Sequence, residues 1–249
     1  CGESGEFDVA EADRQRAVRI AATAGLHRSR ALERVAALDD PDRENVEEAL
    51  ACYLPRALYA LLTVVNKLDG IPQAPERRRA LLALLLTACD QVNTLWPHPT
   101  ERPRPRQLTV PPRFLENNLW RSLEAGVDLW AGDGPAIPLT TWPELPPENG
   151  GICLFEGPAR DLAPHLKGLE MRAMLTALPR PNQAFWTLSA LWAGWLWGRE
   201  AVAPFKMVLR RRRYDWNWHA EALHAALKNL ERKRFAFGAQ NAGGRRFAF

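Results

Sequence analysis

Few side chains in this sequence are spaced for chemistry. Cys1, Cys52, Cys89 and Cys153 are far apart with no CxxC pair, and His219 and His224 stand five residues apart, on different faces of a helix. No glycine-rich phosphate loop, GxSxG elbow or HExxH helix occurs, so phosphate-loop, serine-hydrolase and zinc-protease chemistry are set aside. The cations are more informative. Arg102, Arg104 and Arg106 alternate with prolines in WPHPTERPRPRQLTVPP (residues 96–112), and Arg210, Arg211, Arg212 and Arg213 run ahead of Tyr214, Trp216 and Trp218. A proline-stiffened extended arm spaces charges so that they can track phosphates, and the same composition also makes a solvated linker. The arginine run reads either as a solvated turn or as the basic-aromatic mixture that grips single-stranded or flipped nucleic acid. The remaining feature is MLTALPRPNQAFWTLSALWAGWLWG, an apolar run ending in Thr-Ala-Leu-Pro-Arg directly before a helix that carries four tryptophans.

These residues sit in a chain of 249 residues, 47% hydrophobic, enough for one large or two small domains with a real core. The 33 basic residues nearly balance 29 acidic ones, and the net charge of +4 is compatible with a nucleic-acid partner or with a basic patch that has no ligand. Unpaired cysteine spacing and no secretory leader pattern predict a reduced, cytoplasmic chain, with Cys52, Cys89 and Cys153 as small core hydrophobes. Cys1 fits the last knuckle of a zinc ribbon whose other ligands lie upstream, because a structural zinc site needs four ligands. The uncharged run 181–198 is purely apolar over only about 15 residues, short of the roughly 20 a membrane-spanning helix needs. A buried helix and no membrane partner are expected.

The elements that must position these residues follow from periodicity. Residues 13–38 read as an amphipathic helix stopped by Asp39-Asp40-Pro41, and 42–50 begin another. Leu58, Leu61, Leu62, Val65 and Leu68 recur at helical spacing up to Asp69-Gly70, and Pro75-Glu76 opens a helix apolar on more than one face. Leu115, Leu119, Leu123, Val127 and Trp130 predict an amphipathic helix over 113–130. Residues 152–155 and 171–176 are short apolar runs that fit buried strands, with a short helix or turn between them. Strand, connection, strand and helix in that order predict a parallel α/β arrangement. A further helix covers 216–230, with Leu223, Leu227 and Leu230 on one face.

The stretch GGICLFEGPARDLAPHLKGLEMRAMLTALPRPNQAFWTLSALWAGWLW resembles adenine-specific DNA methylase-like proteins. In those, a strand, a GDARDL-like turn and a second strand lead to TDPPYxDNxxYxxLxxFxxxWL. YLPRALYALLTVVNKLDG, the aliphatic helix after it and PPRFLENNLWRSLEAG are similar to the family's helical insertion. The resemblance covers roughly residues 52–230. It implies an incomplete Rossmann-like methyltransferase sheet preceded by a helical insertion domain: 1–50 as zinc-ribbon remnant and helical linker, 51–131 as the insertion, and 132–249 as a partial α/β domain.

In that family the Asp or Asn side chain and the next carbonyl accept hydrogen bonds from the target amine, the prolines stiffen the loop, and the aromatic stacks on a flipped base. The positions matching this motif read Thr176, Ala177, Leu178, Pro179 and Arg180, so the acceptor and the stacking ring are lost and only Pro179 is kept. Pro158 stands where the acidic cofactor contact belongs, and Asp161 and Glu156 fall out of register. Asn182-Gln183-Ala184-Phe185 keeps the outer letters of an NPPF loop without its prolines. The family's glycine loop for S-adenosylmethionine is not in these residues; in relatives of this order it precedes the ribbon. The resemblance therefore implies the C-terminal portion of a longer, catalytically impaired DNA methyltransferase that does not bind S-adenosylmethionine by itself, with DNA and an upstream segment or partner chain as its partners. The alternative is a nucleic-acid-binding or scaffold subunit that does no chemistry. Phe185, Trp186, Leu188, Leu191, Trp192, Trp195 and Leu196 are expected to pack the helix on a sheet face.

Overall fold

The computed structural model describes residues 8–132, 134, 137–158, 161–166, 183–210 and 216–231. They fall into two compact units, one drawn from Cys1–Asp133 and Pro181–Tyr214, the other from Gly134–Arg180 and Asp215–Phe249.

The first unit is helical. Its helices are α1 (Glu11–Ala22), α2 (Ala24–Glu33), α3 (Arg43–Leu50), α4 (Pro55–Gly70), α5 (Pro75–Gln91), α6 (Leu119–Trp130), α8 (Ala184–Trp197) and α9 (Lys206–Arg210), with a 3-10 segment Arg199–Phe205 between the last two. α5 begins on the expected Pro75 and α4 on Pro55, and the fixed φ and missing N–H of proline suit a first helical turn. The single helix expected over 13–38 is two. Thr23 breaks it, its hydroxyl bonding back to the Ile20 carbonyl at 3.0 Å, and a β-branched residue with that local alternative weakens the helix where it sits. α6 starts at Leu119 and not at 113, because residues 113–115 spend their backbone groups elsewhere. His98 N–H donates to the Arg113 carbonyl (3.0 Å) and Leu115 N–H to the Trp96 carbonyl (2.8 Å). Asn118 then caps the helix, its side-chain oxygen accepting from Trp120 N–H at 2.9 Å.

The tryptophan helix α8 lies at the centre of this unit. Leu188, Trp192 and Trp195 are buried as expected, but the surface they bury against belongs to helices and not to a sheet. Trp195 donates its indole N–H to the Ala31 carbonyl at 3.0 Å, and Trp192 donates to the Tyr53 hydroxyl at 2.7 Å, which in turn donates to the Cys89 carbonyl at 2.8 Å. The physical reason is that α8 is apolar on nearly every side and must be enclosed all round; α2, α3, α4 and α5 surround it, whereas one sheet face covers only half a helix. At Gly194 the backbone of α2's end comes so close that a Cβ would lie 2.8 Å from the Arg34 carbonyl oxygen. Residues 183–210 thus pack with the first unit.

In the second unit, β1 (Leu139–Thr141) and β2 (Ile152–Leu154) pair in parallel, Leu139 opposite Ile152 and Thr141 opposite Leu154. The parallel pairing agrees with the α/β expectation at its coarsest, in a chain whose described residues are mostly helical. The expected burial of the first strand is corrected: Ile152 and Leu154 are each nearly half exposed. α7 (Leu162–His165) supplies the short helix expected after it, with His165 against Trp142 and Phe155 at ring separations of 5.4 and 4.9 Å. α10 (Trp216–Glu231) matches the expected last helix. The strand expected over 171–176 lies outside the described residues. No single helix among the described residues is long and apolar enough to cross a membrane.

Candidate nucleic-acid interface

The proline-arginine loop after α5 is an ordered arm in which the three arginines have different partners. Arg104 turns inward: its two terminal nitrogens meet the two Asp90 carboxylate oxygens at 2.7 and 3.1 Å, and its guanidinium lies 4.3 Å from the centre of the Trp96 ring. Asp90, at the C-terminal end of α5, also accepts the Trp96 indole N–H on its carbonyl at 2.8 Å, which locks the base of the arm to the helix. Planarity suits Arg to this double role, pairing a carboxylate edge-on while stacking on an indole. Arg102 and Arg106 are exposed and make no side-chain hydrogen bond or ion pair among the described residues. The backbone fixes Arg106 nonetheless, because its carbonyl accepts the Ala184 N–H that opens α8, at 2.6 Å. The arm therefore ends against the N-terminus of the tryptophan helix, two cations outward.

Beside this junction a groove of ≈ 520 Å³ runs between α5 and α8. Phe185, Trp192, Trp197 and Phe205 give it aromatic walls, and Asp90 and Gln91 its polar edge. Phe185 and Trp197 are about half exposed, whereas Trp192 is buried and meets the Phe185 ring at 5.6 Å and 78°. The Gln91 side-chain amide has no partner among the described residues, while the Gln91 backbone carbonyl accepts from the Asn117 side-chain amide at 2.8 Å.

The other predicted site residues stand elsewhere. Arg210 is not a free cation: it donates to the buried Asp42 carboxylate at 2.7 Å, beside a Lys206–Asp40 pair at 3.2 Å, and this pins α9 to the turn before α3. Arg211, Arg212 and Arg213 lie outside the described residues, as do Cys1 and Ala177, Leu178, Pro179 and Arg180. Among the described residues no group of three or more His, Cys, Asp or Glu side chains could hold a metal ion. Burial pushes the Cys52 thiol up to about 11 and the Cys89 thiol higher still, so neither is poised as a nucleophile. No family model, no curated protein and no solved structure matches the chain.

Sequence reasoning missed the groove because it took the α8 aromatics as one core-facing set. The available signal was Phe185 and Trp197, which lie at the two ends of a helix already saturated with buried aromatics.

Proposed function

We propose that this chain binds nucleic acid, DNA in the first place, through the arm and groove, and performs no methyl transfer by itself. The observation that carries the reading is the outward pair Arg102 and Arg106 on an arm clamped by Arg104–Asp90 and anchored to the aromatic helix. Exposed cations on an arm bonded to the start of the aromatic helix, one residue before the half-exposed Phe185, offer the two interactions that hold nucleic acid without sequence readout, phosphate neutralisation and stacking. A titration of fluorescent DNA at low salt tests it: saturable binding is expected, and none at any salt concentration refutes it.

The parallel β1–β2 pair followed by α7 favours a second reading, that the second unit descends from an adenine-specific DNA methylase-like sheet whose TALPR positions no longer support transfer. Loss of an acceptor at the reacting amine costs a factor comparable to losing one oxyanion-hole donor, about 10² to 10³ in rate. On that reading the 249-residue chain gives no heat with S-adenosylmethionine, and micromolar binding by calorimetry contradicts the impaired assignment.

A further inference from the structure

The α5–α8 groove is longer than any single small ring requires. Phe185 and Trp197 lie twelve residues apart on α8, which at 1.5 Å per residue separates them by about 18 Å along the axis. That is several times the roughly 3.4 Å step between neighbouring nucleotides of a strand, so the two rings would serve different bases. Each ring is half exposed at the end of a helix whose other large side chains are mostly buried, and one end of the groove meets the arm that carries Arg102 and Arg106. Between them the groove floor offers apolar surface, and the Gln91 amide has both a donor and an acceptor to give. A duplex keeps its bases stacked inside and cannot present a ring face to Phe185 or Trp197.

We infer that this groove is a binding site for single-stranded nucleic acid, with separate unstacked bases on Phe185 and Trp197 and the backbone entering past Arg102 and Arg106. The described residues that line the site all belong to the helical unit. It rests on the nucleic-acid reading above and narrows it to the single strand. The electrostatic part is indifferent to bases, whereas the rings are not, and this separates the two claims experimentally.

The test is equilibrium binding of the full chain to three labelled probes of about 12 nucleotides, within the usual site size of single-strand binders. They are an oligothymidylate, an abasic deoxyribose-phosphate chain of the same length, and a duplex; an oligouridylate arm distinguishes RNA from DNA. The base-bearing single strand is expected to bind more tightly than the abasic chain by roughly 5- to 150-fold per stacked base. Phe185→Ala and Trp197→Ala should each remove a share of that preference while leaving abasic binding unchanged, and Phe185→Trp should retain it. Because both rings are half exposed, their truncation leaves the buried core in place, and unchanged circular dichroism checks this. Equal affinity for oligothymidylate and the abasic chain overturns the groove assignment and leaves the general nucleic-acid reading standing. Failure to bind all probes overturns both.

Discussion

The Ala184 N–H donates to the Arg106 carbonyl at 2.6 Å, so the last arginine of the proline loop and the first residue of the tryptophan helix are held as one junction. A loop that also read as a solvated linker is by this bond, and by the Arg104–Asp90 pair, part of the folded helical unit. The three arginines, identical in sequence pattern, therefore divide into one structural and two outward residues.

That division makes a prediction about Arg104. Arg104→Ala removes a two-point ion pair and a cation–π contact in a half-buried setting, and should destabilise the first unit by about 1–2 kcal/mol. Urea denaturation measures it. Arg102→Ala, with no side-chain partner to lose among the described residues, should leave the urea midpoint where it is.

A second prediction concerns acid. Backbone hydrogen bonding from Asp42 lowers the Asp40 carboxyl below its ordinary value, helped by Lys206 and opposed by burial. Burial raises Asp69, but hydrogen bonds from Arg78 and Arg34 outweigh it and the net shift is again downward. A carboxyl with a depressed folded pKa contributes stability that is complete above the unfolded value, about 3.9 for aspartate, and is lost as pH falls through the folded value. Stability should therefore drop from about pH 4 downward. Asp69→Asn should be less stable than the parent at pH 7 and should show a shallower acid limb, read as urea midpoint against pH. An acid limb identical in parent and variant contradicts the assignment.

A third prediction tests the close crossing of α8 on the end of α2. Gly194→Ala places a methyl 2.8 Å from both the Arg34 carbonyl oxygen and the Val35 side chain, and backbone cannot yield cheaply there. A loss of about 1–3 kcal/mol is expected despite the better helix propensity of alanine. Trp195→Ala, which empties a wholly buried site and orphans the Ala31 carbonyl, should cost about 3–5 kcal/mol. Thermal melting followed by circular dichroism reads both.

Much of this fold was legible in the sequence. Pro55 and Pro75 mark helix starts by their own stereochemistry, and Leu58, Leu61, Leu62 and Val65 declare a buried face by spacing alone. What covers that face was not legible. An all-apolar helix such as α8 says that it is enclosed without saying by what, and helices took the place that a sheet was expected to fill. Helix limits failed where long-range pairing competed with local pattern: Leu115 continues the heptad-like spacing of α6, yet its N–H is spent on Trp96 across the loop. For the candidate site, the arginines were visible as residue types, but Arg104 and Arg210 differ from Arg102 and Arg106 only by the carboxylates of Asp90 and Asp42. Those lie 14 and 168 residues away in the chain, beyond any local signal.

Contact of Arg102 and Arg106 with phosphates is read from the salt dependence of binding to single-stranded DNA. Each phosphate contact contributes about 0.7 to the slope of log K against log salt for a single strand. Saturable low-salt binding that weakens linearly on this plot is expected. The Arg102→Ala, Arg106→Ala double variant should flatten the slope by about 1.4, two contacts' worth, with no change in thermal stability. A slope unchanged in the double variant, or no binding by the parent chain at low salt, would contradict it.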